Sequence, residues 1–314
     1  MRYFKAICCA LVCLCLSVAS VGAQTDHFFY GSVGLGYSTL KYHTEQLQTI
    51  GNGGATLGVG YEFQTSGGFV LSLGAAYDAI NSTTRHKPFV NDRLMVDTDG
   101  LPDGTPWYDT VMFHTAFNRF RETQMLGFVS IPLLFGARFD RFTILAGGKV
   151  AFPLYARFDT KSHITTTGTY QWFDEDFHDM ENHYYVGDKR LKNSGTLQTS
   201  MNIDVVVQAY VDCTPSRWKS TQLHLGAFVD YGVLNISQET QTQPLITYHE
   251  NPLDITFVSQ LQSNALNKKN ISPLMVGISA KFLFELGTTS GGGGRTHRHC
   301  NCINGFNHKG WGRY

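Results

Sequence analysis

The sequence predicts an all-β protein, an eight-stranded antiparallel up-and-down transmembrane β-barrel. Three observations carry this. Eight stretches alternate apolar and polar residues with period two, the connections between them alternate short and long, and the face opposite the apolar one is rich in ionisable groups. Successive side chains on a strand point to opposite faces, so each stretch has one greasy and one charged side.

The strands follow in chain order. The first sets Phe29, Val33, Leu35 and Tyr37 against Ser32, Gly34 and Gly36. The second sets Ala55, Leu57, Val59, Tyr61 and Phe63 against Thr56, Gly58, Gly60 and Glu62. The third sets Phe69, Leu71, Leu73, Ala75 and Tyr77 against Ser72, Gly74 and Asp78. The fourth carries Met125, Val129, Ile131, Leu133, Phe135 and Phe139 against Gln124, Ser130 and Arg138. The fifth carries Phe142, Ile144, Ala146, Val150, Phe152 and Leu154 against Arg141, Thr143 and Lys149. In the sixth, Met201 to Val211 alternate with Asn202, Asp204, Gln208 and Asp212. In the seventh, Leu223 to Val233 alternate with Gln222, His224 and Asp230. The last, Leu274 to Leu286, is apolar at every even position, with Ser279, Lys281 and Glu285 between.

Connection lengths decide between water and membrane. Thr65–Gly68, Asp140-Arg141 and Thr214–Ser220 are short, whereas Lys41–Asn52, Arg85–Arg119, Phe158–Gly195 and Gln238–Lys269 read as long loops. Short turns on one side and long loops on the other are the asymmetry of outer-membrane barrels, with the short turns periplasmic. A soluble lipocalin-type barrel would keep its apolar residues inside. Here the opposing face holds Glu62, Asp78, Arg138, Lys149, Asp204, Asp230, Lys281 and Glu285, which a dry apolar cavity does not tolerate. Pro132 and Pro153 fall inside strands, where each removes a ladder donor and predicts a bulge or broken pairing.

The ends are set apart from the barrel. Arg2 and Lys5, the apolar run Ala6–Val18 and the small residues Val21-Gly22-Ala23 read as a signal peptide over 1–23. The barrel domain is expected over 24–287 and a flexible Gly/His/Cys-rich periplasmic tail over 288–314. Lys+Arg and Asp+Glu are equal at 25 each, which gives no argument for nucleic acid as a partner. Four of the seven cysteines lie in the signal, and Cys213, Cys300 and Cys302 are too few for a disulfide scaffold.

Residues Phe128-Val129-Ser130-Ile131-Pro132-Leu133-Leu134-Phe135-Gly136, with Leu145-Ala146-Gly147-Gly148-Lys149 after a tight turn, resemble the PorT-like outer-membrane β-barrel proteins of Bacteroidota. The closing segment Val276–Leu286 resembles the last strand of that family. The resemblance covers roughly residues 28–287 and departs from the family at Ser130, where an acidic residue is expected, and in the tail. It implies an outer-membrane location. Phe282 and Phe284 resemble the aromatic signal read by the barrel-assembly machinery, an expected partner in biogenesis alongside outer-membrane lipid.

Asp78, Lys149, Asp204 and Asp230 fall at similar depth in the lumen and are expected to form a paired charge network, with His224 a further cation near it. Pairing across the sixth and seventh strands sets Asp204 close to opposite Asp230. Asp97, Asp99 and Asp103 lie among turn-forming glycines and are hard-cation candidates, although the completing Glu of an EF-hand is missing. His297, His299, Cys300 and Cys302 are zinc- or copper-type ligands at no standard spacing. No spacing joins a nucleophile to a base, so neither enzymatic activity nor a cofactor is expected. Trp107, Tyr108, Trp172, Phe173, Tyr184 and Tyr185 in the loops are anchor types for an unknown extracellular ligand or envelope protein. The reading is a non-enzymatic barrel for binding or adhesion, with a plugged lumen. Its alternatives are a secretion-associated assembly component, a narrow channel and a lipid-acting enzyme.

Overall fold

A computed structural model describes residues 25–43, 47–97, 109–170, 176–177, 187–218, 220–237, 244–248, 255–263 and 269–289. The signal segment, Asp99, Asp103, the six aromatic loop anchors, and His297, His299, Cys300 and Cys302 of the tail lie outside the described residues.

The strands are β1 (Thr25–His43), β2 (Leu47–Thr65), β3 (Phe69–His86), β4 (Phe89–Asp97), β5 (Asp109–Phe139), β6 (Phe142–Tyr170), β7 (Asp176–Phe177), β8 (Gly187–Thr196), β9 (Asn202–Asp212), β10 (Thr221–Gly232), β11 (Ile246–Tyr248), β12 (Ile255–Phe257) and β13 (Lys269–Thr289). Eight of them close a ring in the order β1-β2-β3-β5-β6-β9-β10-β13, and β13 returns to β1 through a ladder from Thr25↔Thr289 to His43↔Lys269. Every pairing in the ring is antiparallel. Closure gives each backbone donor and acceptor a partner where no water is available.

The outward residues form an apolar belt. Leu35, Leu57, Leu73, Ile131, Ile144, Val205, Val229 and Ile278 are all exposed, as they must be in a barrel that meets lipid. The inward faces hold Glu62, Asp78, Lys149, Asp204 and Lys281, each almost fully buried. Glu285, read from the sequence as a lumen residue, is exposed near the periplasmic end of β13.

Aromatic rings fill the inside by lying over glycines. Tyr30 covers Gly60, where an added Cβ would sit 2.7 Å from the ring carbon Cζ, and Phe228 covers Gly34 at 2.9 Å. At the periplasmic end Gly68 (φ 85°) and Asp140 (φ 52°) take left-handed conformations that tighten the first two turns.

Three of the four expected long loops are a correction; in Gln238–Lys269 the described strands before β13 are only the short β11 and β12. β1 and β2 run to His43 and from Leu47, so most of Lys41–Asn52 is strand; the β1–β2 ladder itself ends at Ser38↔Asn52, and beyond it β1 stays paired with β13 and β2 with β3. β5 and β6 are 31 and 29 residues long, and they carry β4 and β8 as flanking strands through Phe89↔Phe117 and Arg157↔Thr196. The reason is an inversion of pattern. Within the membrane apolar residues point out; beyond it Val111, Phe113, Phe117, Phe120 and Ile164 point in and are buried, while Arg119, Arg121 and Lys161 point out. Water on one side and a small core on the other stabilise the same ladder beyond the bilayer. Phe117, Phe120, Ile164, Leu245 and Phe257, with Phe89 and Leu191 against them, make that core.

Both prolines interrupt the sheet. Between Leu73↔Leu133 and Ala76↔Ser130 the β3–β5 pairing lapses opposite Ile131 and Pro132. The β5–β6 register shifts between Gly127↔Tyr155 and Phe128↔Pro153, leaving Leu154 as an extra residue. That shift changes which parity of β6 faces inward, from Lys149 and Ala151 below it to Ala156 and Phe158 above.

Candidate functional site: the lumen and its outer mouth

Lys149 on β6 lies at the centre of the barrel. Its Nζ is 2.8 Å from Asp78 Oδ2 on β3 and 3.5 Å from Asp204 Oδ2 on β9, and it also donates to Asp230 Oδ2 on β10. The ladder sets Lys149 directly opposite Asp204. Asp78 also accepts from Ser130 Oγ at 2.8 Å. Asn202 donates to Asp204. The four residues singled out in the sequence thus meet around one ammonium. The two aspartates of β9 and β10 are not directly opposite: Asp230 pairs with Val206 and Asp204 with Gly232, a diagonal offset.

A second ion pair lies nearer the periplasm. Lys281 Nζ donates to Glu62 Oε2, Gln64 Nε2 donates to Glu62 Oε1 at 2.8 Å, and the Tyr30 ring centroid is 4.1 Å from the ammonium. His224 belongs here and not with Lys149, because the register sets it opposite Lys281. Below this level Arg138 joins Asp212 at 3.1 Å, Gln64 at 2.9 Å and Gln222 at 3.3 Å, closing the periplasmic end.

Between the two lysines remains a cavity of about 50 Å³, bordered by Asp78, Asp230, Tyr30 and Phe228. At roughly 10–15 Å³ per water this is room for a few waters. An eight-stranded ring leaves room for little beyond side chains.

The outer half of the lumen holds an apolar cluster, which alternation alone did not reveal. Leu40, Ile80, Leu126, Phe128, Phe158 and Ile271 form a buried cluster, and Leu261 from the segment after β12 packs into it. Glu122, fully buried on β5, anchors that segment. It accepts from Ser259 Oγ at 2.6 Å, from the Gln260 backbone N–H at 2.7 Å and from Gln124 Nε2 at 2.9 Å. A tight turn, with Gln262 N–H donating to Ser259 O at 2.9 Å, shapes the plug. Glu122 lies between the loop expected to end at Arg119 and the strand expected to begin at Gln124. Its i, i+2 relation to Gln124 was the available signal, and strand continuity past Gln124 was the missing premise.

Among the described residues two His–carboxylate pairs lie outside the membrane. His114 Nδ1 lies 2.7 Å from Asp92 and His163 Nε2 2.9 Å from Asp188. The hydrogen bond from His163 holds the Asp188 carboxyl below its usual range. Neither ring has a Ser or Cys hydroxyl or thiol as hydrogen-bond partner among the described residues. Asp97 ends β4, apart from the lumen.

Among solved structures, the chain is similar to Ail, the attachment invasion locus protein of Yersinia pestis, in complex with the heparin analogue sucrose octasulfate. That match has 6% identity and a TM-score of 0.25, covering 82% of this chain and 99% of that one. It is also similar to Neisserial surface protein A (NspA), at 7% identity and TM-score 0.28, covering 81% of this chain and 95% of that one. No family model and no curated protein matches the chain. A closed eight-stranded ring with an outward apolar belt and charged groups buried within is built to stand in a lipid bilayer. The chain is a β-barrel protein of the bacterial outer membrane.

Proposed function

We propose that this barrel is a non-enzymatic binding or adhesion protein whose lumen is plugged and whose working surface is the folded crown outside the membrane. One observation carries the reading: the strands continue beyond the lipid belt and enclose a hydrophobic core of their own, Phe117, Phe120, Ile164, Leu245 and Phe257. A channel has no use for such a core over its mouth. A binding surface gains rigidity from it, since less ordering remains to be done when a partner docks. Val90 and Leu94 on β4, each 59% exposed, add apolar area on the outer face of the crown.

Site-specific photo-crosslinking in intact cells tests the proposal. A crosslinker at Val90 or Leu94 should trap an extracellular or envelope partner, and one at Arg217 in the periplasmic turn should not. Trapping at Arg217 alone would instead support the alternative of a secretion-associated assembly component.

A further inference from the structure

On the outer wall, just above the apolar belt, four cations stand in one cross-strand row. Arg85 pairs with Arg121, Arg121 with Lys161, and Lys161 with Lys192, across β3, β5, β6 and β8. All four are exposed. In the next row outward, Arg119 is opposite His163 and His163 opposite Arg190. Like charges directly opposite on a sheet destabilise it. Among the described residues none of the four cations of the first row makes an ion pair. Among the described residues the nearby carboxylates are Asp159, one row inward opposite Thr123, and Asp188, already held by His163 and Thr165. Two carboxylates do not balance six Arg and Lys side chains.

The position of the row identifies what balances it. Met125, 40% exposed, is the last apolar residue of the belt on β5, and Arg121 follows four residues on along the same face. Four residues of strand are about 13 Å, or about 10 Å of height in a barrel tilted by 35–45°. The headgroup layer extends roughly 5–8 Å beyond the hydrocarbon, and long Arg and Lys stems reach back toward it. Arg157, exposed and opposite Met125, sits at its lower edge. The row spans three interstrand spacings, about 14 Å, wide enough for more than one phosphate.

We propose that Arg85, Arg121, Lys161 and Lys192, with Arg119 and Arg190 above them, bind the phosphate groups of outer-leaflet lipid and lock the barrel laterally to its lipid shell. Arg suits this task because its planar fork donates two hydrogen bonds to one phosphate. The proposal goes beyond the binding role of the crown and depends only on the orientation of the barrel, so either can fail alone.

The test is native mass spectrometry of the mature protein in detergent micelles doped with diphosphorylated lipid A. Wild type should retain lipid A, should retain the dephosphorylated analogue poorly, and should not be stripped by equimolar inorganic phosphate. The double variant Arg121→Ser/Lys161→Ser should bind about thirtyfold more weakly. The charge-preserving Arg121→Lys/Lys161→Arg should keep most of the binding. Without lipid A, the serine variant should resist heat at least as well as wild type, because like-charge repulsion is relieved. If the serine variant does not fold, Lys192→Gln at the end of the row carries the same comparison. Equal lipid A retention by wild type and the neutralised variants would overturn the proposal. Retention of a heparin fragment that depends on this row, with lipid A retention indifferent to its phosphates, would overturn it in favour of a soluble polyanion.

Discussion

Lys149 Nζ lies 2.8 Å from Asp78 Oδ2 although their strands, β6 and β3, are separated in the wall by β5. The pair therefore bridges the lumen, and with Asp204 and Asp230 it ties four of the eight strands to one point. Lys149→Met should destabilise the barrel by about 3–5 kcal/mol, the cost of orphaning a buried charge. Adding Asp204→Asn should recover part of that loss, because one uncompensated carboxylate is removed. Urea unfolding in detergent, followed by the mobility shift of heat-treated protein on gels, measures both.

The lipid belt makes its own prediction. Val205 faces outward on β9 at 50% exposure. Val205→Arg at mid-membrane should cost about 2–4 kcal/mol, falling toward zero for the same change near either rim. Unfolding in lipid vesicles reads the difference.

The outer plug depends on Glu122. Glu122→Ala removes the acceptor for Ser259 Oγ and Gln260 N–H, and each hydrogen bond to a charged group contributes about 1.5–3 kcal/mol. The segment around Ser259 should become sensitive to protease added outside cells, while the barrel below stays folded. Unchanged protection would show that Leu261 alone holds the plug.

The crown should loosen in acid through His86. Its ring is buried against Phe89, with centroids 4.0 Å apart, and Nε2 has no hydrogen-bond partner. Burial lowers its pKa against a smaller opposing hydrogen bond to Lys87 O. The folded state thus prefers the neutral ring, so its contribution is complete above the ordinary imidazole value of about 6.5 and is lost as pH falls below it. His86→Phe should remove that acid sensitivity, read by proteolysis of the crown at neutral and mildly acidic pH.

How far the sequence could be read depends on which solvent each segment meets. Period-two alternation located Val205, Ile131 and Ile278 on the lipid face and Asp78, Lys149, Asp204 and Asp230 inside, because lipid admits only one assignment of faces. Pro153 marked the register shift because it cannot donate to the ladder. Beyond Met125 the rule inverts, with Phe117 and Phe120 inside and Arg119 and Arg121 outside. A template fixed on outward apolar residues therefore ended the strands too early and read their continuation as loop. The Glu122 anchor and the Lys281–Glu62 pair rest on register and on chain distant in sequence, which alternation within one strand does not encode.

Planar-bilayer recording of the purified wild-type protein tests the closed lumen most directly. Three carboxylates gathered on Lys149, Arg138 across the periplasmic end and the Glu122-anchored plug at the mouth predict a silent bilayer, with no stable open current at any moderate voltage. Stable, large, long-lived openings from the wild-type protein would contradict the plugged barrel and make it a pore.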